Sequence, residues 1–547
     1  MRIYFYGAAR FVTGSNHYIE TKNDEKFLLD CGLFQGTKEE EAVNYKPFPY
    51  DVKDLDFVLL SHSHIDHSGR LPKLVKDGFK GKIYATPATY DLAEVMLKDS
   101  ATIQEDDAKW MNRKRQRKNK KPVEALYTEE DVNKALELFE THPYGEVFSV
   151  TDNIKVCFQD AGHILGSAIV EFWVTEDDKT AKFVYTGDLG TKDHALIKDP
   201  TYIDSADVLI CESTYGNTID EDYSNSLANL MNVIEDVTSK GGTVVIPSFA
   251  VGRTQEIIYE LNNQYEYKYP GKQSDIKFYV DSPLAVNATK VFMKNSYVFN
   301  EKAQKQIIAG DNIFDFPNLH YTKTVDESKA LNSNMEPKVI ISASGMATGG
   351  RVVHHLKHNL WKTRNAVIFV GYQAQGTAGQ LIKDGISKIK LAGEWVANRA
   401  QIYDMQGFSA HADQDDILDW LDHFEEKPKK IFLVHGDEDE MYPLKDKIEE
   451  KYNINVDTPK LASYTDINFA NLENSRTLDT EKSEILDSTR ENIFIEKKIH
   501  KIQYILAELA DRDIDLSNLN EEEKKALEQN LFKLEDQLME FNIISGD

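Results

Sequence analysis

The segment Ser61-His62-Ser63-His64-Ile65-Asp66-His67 places three histidines and one aspartate in six consecutive positions, directly after the apolar run FVLL. Imidazole and carboxylate are the side chains that ligate hard and borderline cations such as zinc, manganese and iron. Imidazoles crowded into one loop gain nothing from burial without a cation among them, so the spacing predicts a metal site. Three further positions repeat the order of apolar strand, ligand, glycine: His163 in DAGHILGSA, Asp188 in YTGDLG and His435 in FLVHGD. A single strand-end histidine or turn aspartate is ordinarily structural. Taken with the first segment they read as a set, because strand ends distant in the chain can converge on one edge of a sheet sandwich.

The elements that must position these groups are short apolar runs punctuated by Gly, Asp and Ser. Residues 27–29, 57–60, 154–158, 169–174, 183–185 and 208–210 read as buried or half-buried strands, with helices over 90–111 and 129–140. From 211 to 395 a second α/β pattern appears, with parallel strands at 243–246, 278–280, 339–342 and 366–370 and a helix over 253–263. Residues 402–465 return to the first style, with a strand at 431–434 running into His435. The expected division is 1–210 and 396–465 as one domain, 211–395 as an insertion and 466–547 as a C-terminal helical extension. In that extension Ile495, Ile499, Ile502, Leu506 and Leu509, then Leu527, Leu531, Leu534, Leu538 and Phe541, form an apolar stripe on a helical hairpin. The stripe packs on its own protein or pairs two copies as a homodimer, and the sequence leaves both open.

Composition narrows the function. The 547 residues carry 64 basic and 91 acidic side chains, a formal charge of −27, so the long-range field repels polyanions and a polyanionic substrate needs a local cationic site. Seven cations, Arg113, Lys114, Arg115, Arg117, Lys118, Lys120 and Lys121, fall within nine positions; a solvated linker is the bland reading and a polyanion contact the second. Cys31, Cys157 and Cys211 cannot make a disulfide framework, no long apolar run is present, and the expected setting is the cytoplasm, with no membrane.

His62-x-His64-x-Asp66-His67 with His163, Asp188 and His435 resembles the metallo-β-lactamase superfamily. Glu212 in CESTYGN, His411 in FSAHAD and His435 in LVHGD resemble the marker motifs of its β-CASP nucleases, as do PSFAVGRTQE, VDSPLA and SGMATGGRVVHHL. The likeness covers residues 1 to about 465 and is strongest toward RNA-processing members related to the endonuclease subunit of the pre-mRNA cleavage and polyadenylation machinery and its prokaryotic relatives. It implies an α/β fold: a metallo-β-lactamase αββα sandwich with an inserted α/β β-CASP domain. It implies two zinc ions, one on His62, His64 and His163 and one on Asp66, His67 and His435, with Asp188 bridging; manganese or iron fits the same donors. Asp30, in LLDCG, matches the first motif, an aspartate that orients the metal-binding loop. A histidine at 435, where the DNA-repair branch usually carries valine, favours RNA.

The implied activity is zinc-dependent hydrolysis of RNA phosphodiester bonds in RNA processing or decay, leaving 5′-phosphate ends. Two such ions polarise phosphoryl oxygens and acidify a water. His411 is then the expected general acid for the leaving oxygen, with Glu212 orienting it. Arg253, Ser344, Thr348 and Arg351 are candidates for phosphate contacts, set against a plain turn with salt-bridged arginines. A DNA nuclease of the same fold, a small-molecule hydrolase of lactonase or thioesterase type and a non-catalytic scaffold are the rival readings.

Overall fold

The computed structural model describes residues 1–480 except 37, 220–222, 266–275, 372, 374 and 375; beyond 480 it describes only Lys525 and Lys533. The chain divides into two units, Met1–Lys497 and Lys498–Asp547, and all that follows concerns the first. The expected helical hairpin of the C-terminal extension lies outside the described residues.

Alternating apolar strands stack two sheets face to face. One sheet has the strand order Thr477–Leu478, Ser463–Asp466, Arg2–Phe5, His17–Glu20, Lys26–Leu29, Phe57–Leu59, Lys82–Ala85 and Phe139–Thr141. Its pairings are antiparallel up to Lys26–Leu29 and parallel from there on. The other runs Val456–Asp457, Lys430–Val434, Val208–Glu212, Lys179–Tyr185, Ala168–Glu176, Ile154–Asp160 and Val147–Ser149. Phe5, Phe27, Phe57, Phe158, Phe172, Phe183 and Phe432 fill the space between them. The rings interlock rather than merely fill volume: Phe27 stacks on Phe57 at 4.6 Å, and Phe172 stacks on Phe183 at 5.0 Å while meeting Phe27 edge-on at 5.8 Å. Helices cover the outer faces, Leu71–Lys76 on the first sheet and Gln414–Asp422 with Glu438–Tyr452 on the second.

Between Glu212 and the return of the chain lies a six-stranded, wholly parallel sheet in the order Leu319–Tyr321, Lys277–Val280, Lys338–Ser342, Thr243–Pro247, Ala366–Phe369 and Gln401–Asp404. Its central strands are buried throughout, as parallel strands covered on both faces must be. Two expected boundaries shift. Val208–Glu212 pairs along its whole length with Lys430–Val434, so the first sandwich segment runs past 210 to Glu212. Gln401–Asp404 pairs with Ala366–Phe369, so the inserted sheet extends past 395 and 402 to Asp404. The helix expected over 129–140 ends at Leu136, because Phe139–Thr141 joins the sheet beside Lys82–Ala85. Among the described residues, no helix is long and apolar enough to cross a membrane.

Phe172→Ala removes a ring that touches both sheets and should cost about 3–5 kcal/mol. Urea unfolding followed by tryptophan fluorescence reads this as a lower midpoint at unchanged slope.

Candidate metal centre

Four strand ends meet at one edge of the sandwich. Phe57–Leu59 leads into the loop holding His62 and His64, and the short helix Ile65–Ser68 carries Asp66 and His67 on its first turn. Ile154–Asp160, Lys179–Tyr185 and Lys430–Val434 lead into His163, Asp188 and His435. The turns are tight. A Cβ on Gly32 would lie 1.6 Å from the carbonyl oxygen of Asp66, which requires glycine there. Asp30 and His435 hold left-handed backbone at φ 59° and 52°, uncommon for residues with a side chain and concentrated at functional sites.

The seven predicted ligands come together. His62, His64, His163 and Asp188 form one group, and Asp66, His67 and His435 a second. His62 Nε2 and His163 Nε2 lie 3.1 and 3.2 Å from His64 Nδ1. His67 Nε2 lies 3.1 Å from His435 Nε2, which is 3.5 Å from Asp66 Oδ2. Asp188 spans the groups: Oδ2 is 3.3 Å from His62 Nε2 and 3.5 Å from His163 Nε2, and Oδ1 is 3.2 Å from His67 Nε2.

The outer hydrogen bonds decide what these inner atoms present. Ser61 Oγ donates to Asp30, so His62 Nδ1–H donates to Ser61 Oγ at 3.1 Å. His67 Nδ1–H donates to Asp30 Oδ2 at 2.6 Å, and His163 Nδ1–H to the Ala410 carbonyl at 2.9 Å. The hydroxyl of Thr214 donates to the His435 carbonyl, so His435 Nδ1–H donates to Thr214 Oγ1 at 3.0 Å. Each of these four rings therefore turns a lone pair inward, with two carboxylates beside them. Asp188 Oδ1 is buried without a hydrogen-bond partner among the described residues. Donors around a tetrahedral zinc with bonds of about 2.0–2.1 Å stand about 3.3 Å apart, the spacing seen here. The residues fit a cation in each group.

The charges agree. Burial pushes the His64 imidazole down to about 3, so it offers a lone pair at any physiological pH. Burial works against the Asp188 carboxylate, yet the neighbouring histidines hold its pKa well below the usual range. Asp30 is buried and anchors four groups: Ser61 N, Ser61 Oγ, His67 Nδ1 and Tyr185 Oη, at 2.6–2.8 Å.

Beside the first group stands His411, its ring 4.5 Å from that of His163. His411 Nδ1 faces both oxygens of Glu212 at 3.2 and 3.3 Å. Glu212 is fully buried and also accepts the backbone N–H of Leu189. Burial alone would lower the imidazole, but the Glu212 charge and hydrogen bond raise it to about 9.

Comparison with known proteins identifies this arrangement. A model described as the metallo-beta-lactamase superfamily matches residues 10–150, one described as the Beta-Casp domain matches 254–382, and one described as a Zn-dependent metallo-hydrolase RNA specificity domain matches 395–459. A ribonuclease of Thermus thermophilus is 38% identical over 444 residues, covering 81% of this chain and 95% of its own. An RNase J-like protein of Methanocaldococcus jannaschii is 34% identical over 79% of this chain and 92% of its own, and the transcription termination factor FttA of the same organism 30% identical over 83% and 69%. The chain belongs to the metallo-β-lactamase superfamily, in its β-CASP branch.

In this β-CASP chain the candidate phosphate contacts come out differently from the metal ligands. Arg253 is buried, and its guanidinium is taken by Glu256, one turn along the same helix. Arg351 Nη1 is held at 2.5 Å by the buried Asp281, which also binds His355 Nε2 at 2.6 Å. Each arginine is thus engaged by a carboxylate through Nη1, as in the salt-bridged alternative, and Arg351 Nη2 donates to the Lys323 carbonyl at 3.3 Å. Ser344 and Thr348 share one turn, their hydroxyls 3.4 Å apart, and Thr348 is exposed.

Of the outer donors and acceptors, sequence reasoning named Asp30 and missed Ser61, Tyr185, Thr214 and the Ala410 carbonyl. Thr214 follows CES in the very motif that supplied Glu212, so its place was readable; Tyr185 and Ala410 likewise lie in YTGDLG and FSAHAD, but neither residue type marks an outer partner by itself. Asp188→Ala should lower metal content toward one ion or none per chain, measured by inductively coupled plasma mass spectrometry on the dialysed protein, because it removes the carboxylate shared by both groups.

Proposed function

We propose that this β-CASP chain is a metal-dependent ribonuclease that hydrolyses phosphodiester bonds and leaves 5′-phosphate ends. The observation that carries this reading is the His411–Glu212 pair: a proton-bearing imidazole fixed beside a cluster of inward-facing metal donors. Alignment over most of the chain with a protein named a ribonuclease supports RNA as the substrate. We assign the sandwich to residues 1–212 and 405–480 and the inserted domain to 213–404, so that the insertion clamps an extended chain over the site. Zinc is the metal we favour, with manganese or iron compatible with the same imidazole and carboxylate donors. We place the enzyme in the cytoplasm: Cys31, Cys157 and Cys211 are buried and unpaired, the usual state in a reducing compartment.

When bound, the two ions would polarise the scissile phosphate and acidify the attacking water. The chain supplies the rest. His62, His64 and His163 would hold one ion and Asp66, His67 and His435 the other, with Asp188 placed between the two groups. Asp30 fixes the ring of His67 and, through Ser61, that of His62, so that their Nε2 lone pairs point inward. As water's oxygen bonds to phosphorus and the P–O3′ bond breaks, the leaving oxygen needs a proton. His411 has Nδ1 engaged by Glu212 and donates that proton from Nε2, leaving the phosphate on the downstream fragment. Glu212 acts through His411 as a positioning residue.

His411→Ala should keep both ions and lose about 10²- to 10⁴-fold in turnover of single-stranded RNA; loss of metal instead would make His411 a ligand. Because the acid must be protonated, activity should be present below the raised pKa and fall as pH rises through it. Glu212→Gln removes the charge that raises it, so the alkaline limb of the kcat profile should move to lower pH. Equal cleavage of matched DNA and RNA strands would favour the DNA-nuclease rival.

A further inference from the structure

The cationic run at 113–121 straddles the end of one helix and the link to the next, Glu129–Leu136. Its first part completes the helix Pro87–Gln116, and the rest folds back on that helix. Asn112 Nδ2 donates to the Val123 carbonyl at 2.8 Å, and Val123 N donates to Asn112 Oδ1 at 2.7 Å. Arg115 Nε donates to the Lys121 carbonyl at 2.6 Å. The loop is thereby stapled into a fixed, exposed tip.

Charge segregates along this helix. Asp99, Glu105, Asp106 and Asp107 lie in its middle, and Lys109 pairs with Asp106 at 2.9 Å. Beyond Lys109, none of the seven cations pairs with a carboxylate among the described residues. Trp110 is 55% exposed, and Lys114 Nζ sits 3.3 Å from its ring centroid. Unpaired cations around an exposed aromatic ring make a surface for phosphates and unstacked bases. In a chain of charge −27, so dense a positive patch has an obvious complement in a polyanion.

The other end of the helix is anchored at the metal centre. Thr86 Oγ1 and Thr89 Oγ1 both donate to the Gly166 carbonyl at 2.7 Å, in the loop that carries His163. Ala88 and Leu92 share a core with Ile164 and Leu165. At 1.5 Å per residue, the tip stands about 40 Å along the helix from that anchor.

We propose that this tip is a second RNA-binding surface, which holds the single-stranded RNA substrate outside the catalytic cleft at a distance set by the helix. The proposal rests on the ribonuclease reading. A five-nucleotide RNA bound at the metal centre, even fully extended, falls short of that distance; a long one can reach both.

The test changes Arg113→Gln, Lys114→Gln, Arg117→Gln and Lys118→Gln together in the full metal-loaded chain, sparing Arg115, which holds the loop. Cleavage of a 5-nucleotide and a 40-nucleotide single-stranded RNA is compared. On the long RNA, KM should rise about tenfold or more at unchanged kcat, and the slope of log(kcat/KM) against log salt should become shallower by about 0.7 for each phosphate that the tip no longer neutralises. The 5-nucleotide RNA should be cleaved as before. Equal reductions on both lengths, or none on either, overturn the proposal, the latter leaving the tip to a partner other than RNA. Should the variant fold poorly, the unmodified enzyme gives the same information: a steeper salt slope on the long RNA supports the tip, and equal slopes overturn it. Failure of the ribonuclease reading would show separately, as no cleavage of either length by the unmodified enzyme.

Discussion

Unshared electron pairs forced together away from water set the terms for this molecule. His62, His67, His163 and His435 each spend the proton of one ring nitrogen on an outward hydrogen bond and turn the other nitrogen inward. His64, Asp66 and Asp188 bring their own donor atoms to the same place. Such a cluster is repulsive until positive charge lies among its members. Ion binding and the local fold are therefore one equilibrium, and the left-handed backbone at Asp30 and His435 is held in place by the same network.

The same cluster resolves the conflict between an acidic protein and an acidic substrate. Ions held at the sheet edge would act at short range, where screening is weakest, while the acidic surface acts at long range. Binding at the centre is then strong but confined to a few phosphates. The proposed RNA-binding tip, carried on a helix footed at the His163 loop, would add a second point of attraction.

The site was legible in the sequence to the extent that its chemistry was local. His62 to His67 is a run that no packing argument accounts for, and strand-end ligands followed by glycine can be read one at a time. The parallel inserted sheet was legible because its central strands are continuous apolar runs. Its last strand was not: Gln401–Asp404 is half-buried at the sheet edge and follows the hairpin Lys388–Leu391 with Glu394–Ala397, so nothing in its composition ties it to Ala366–Phe369. Phe139 looked like one more apolar position of a helix until the sheet took it as a strand. The arginines mark the other limit. Glu256, three residues after Arg253 on a helix, was a partner the sequence could have offered. Asp281 stands 70 positions before Arg351, and only the fold brings them together.

The measurement that bears most directly on this account is the metal stoichiometry of the unmodified full-length chain, by native mass spectrometry after stripping with chelator and titrating with zinc or manganese. Convergent lone pairs in two groups sharing Asp188 predict saturation at two ions per chain. Saturation at one ion, or no uptake at all, would contradict it.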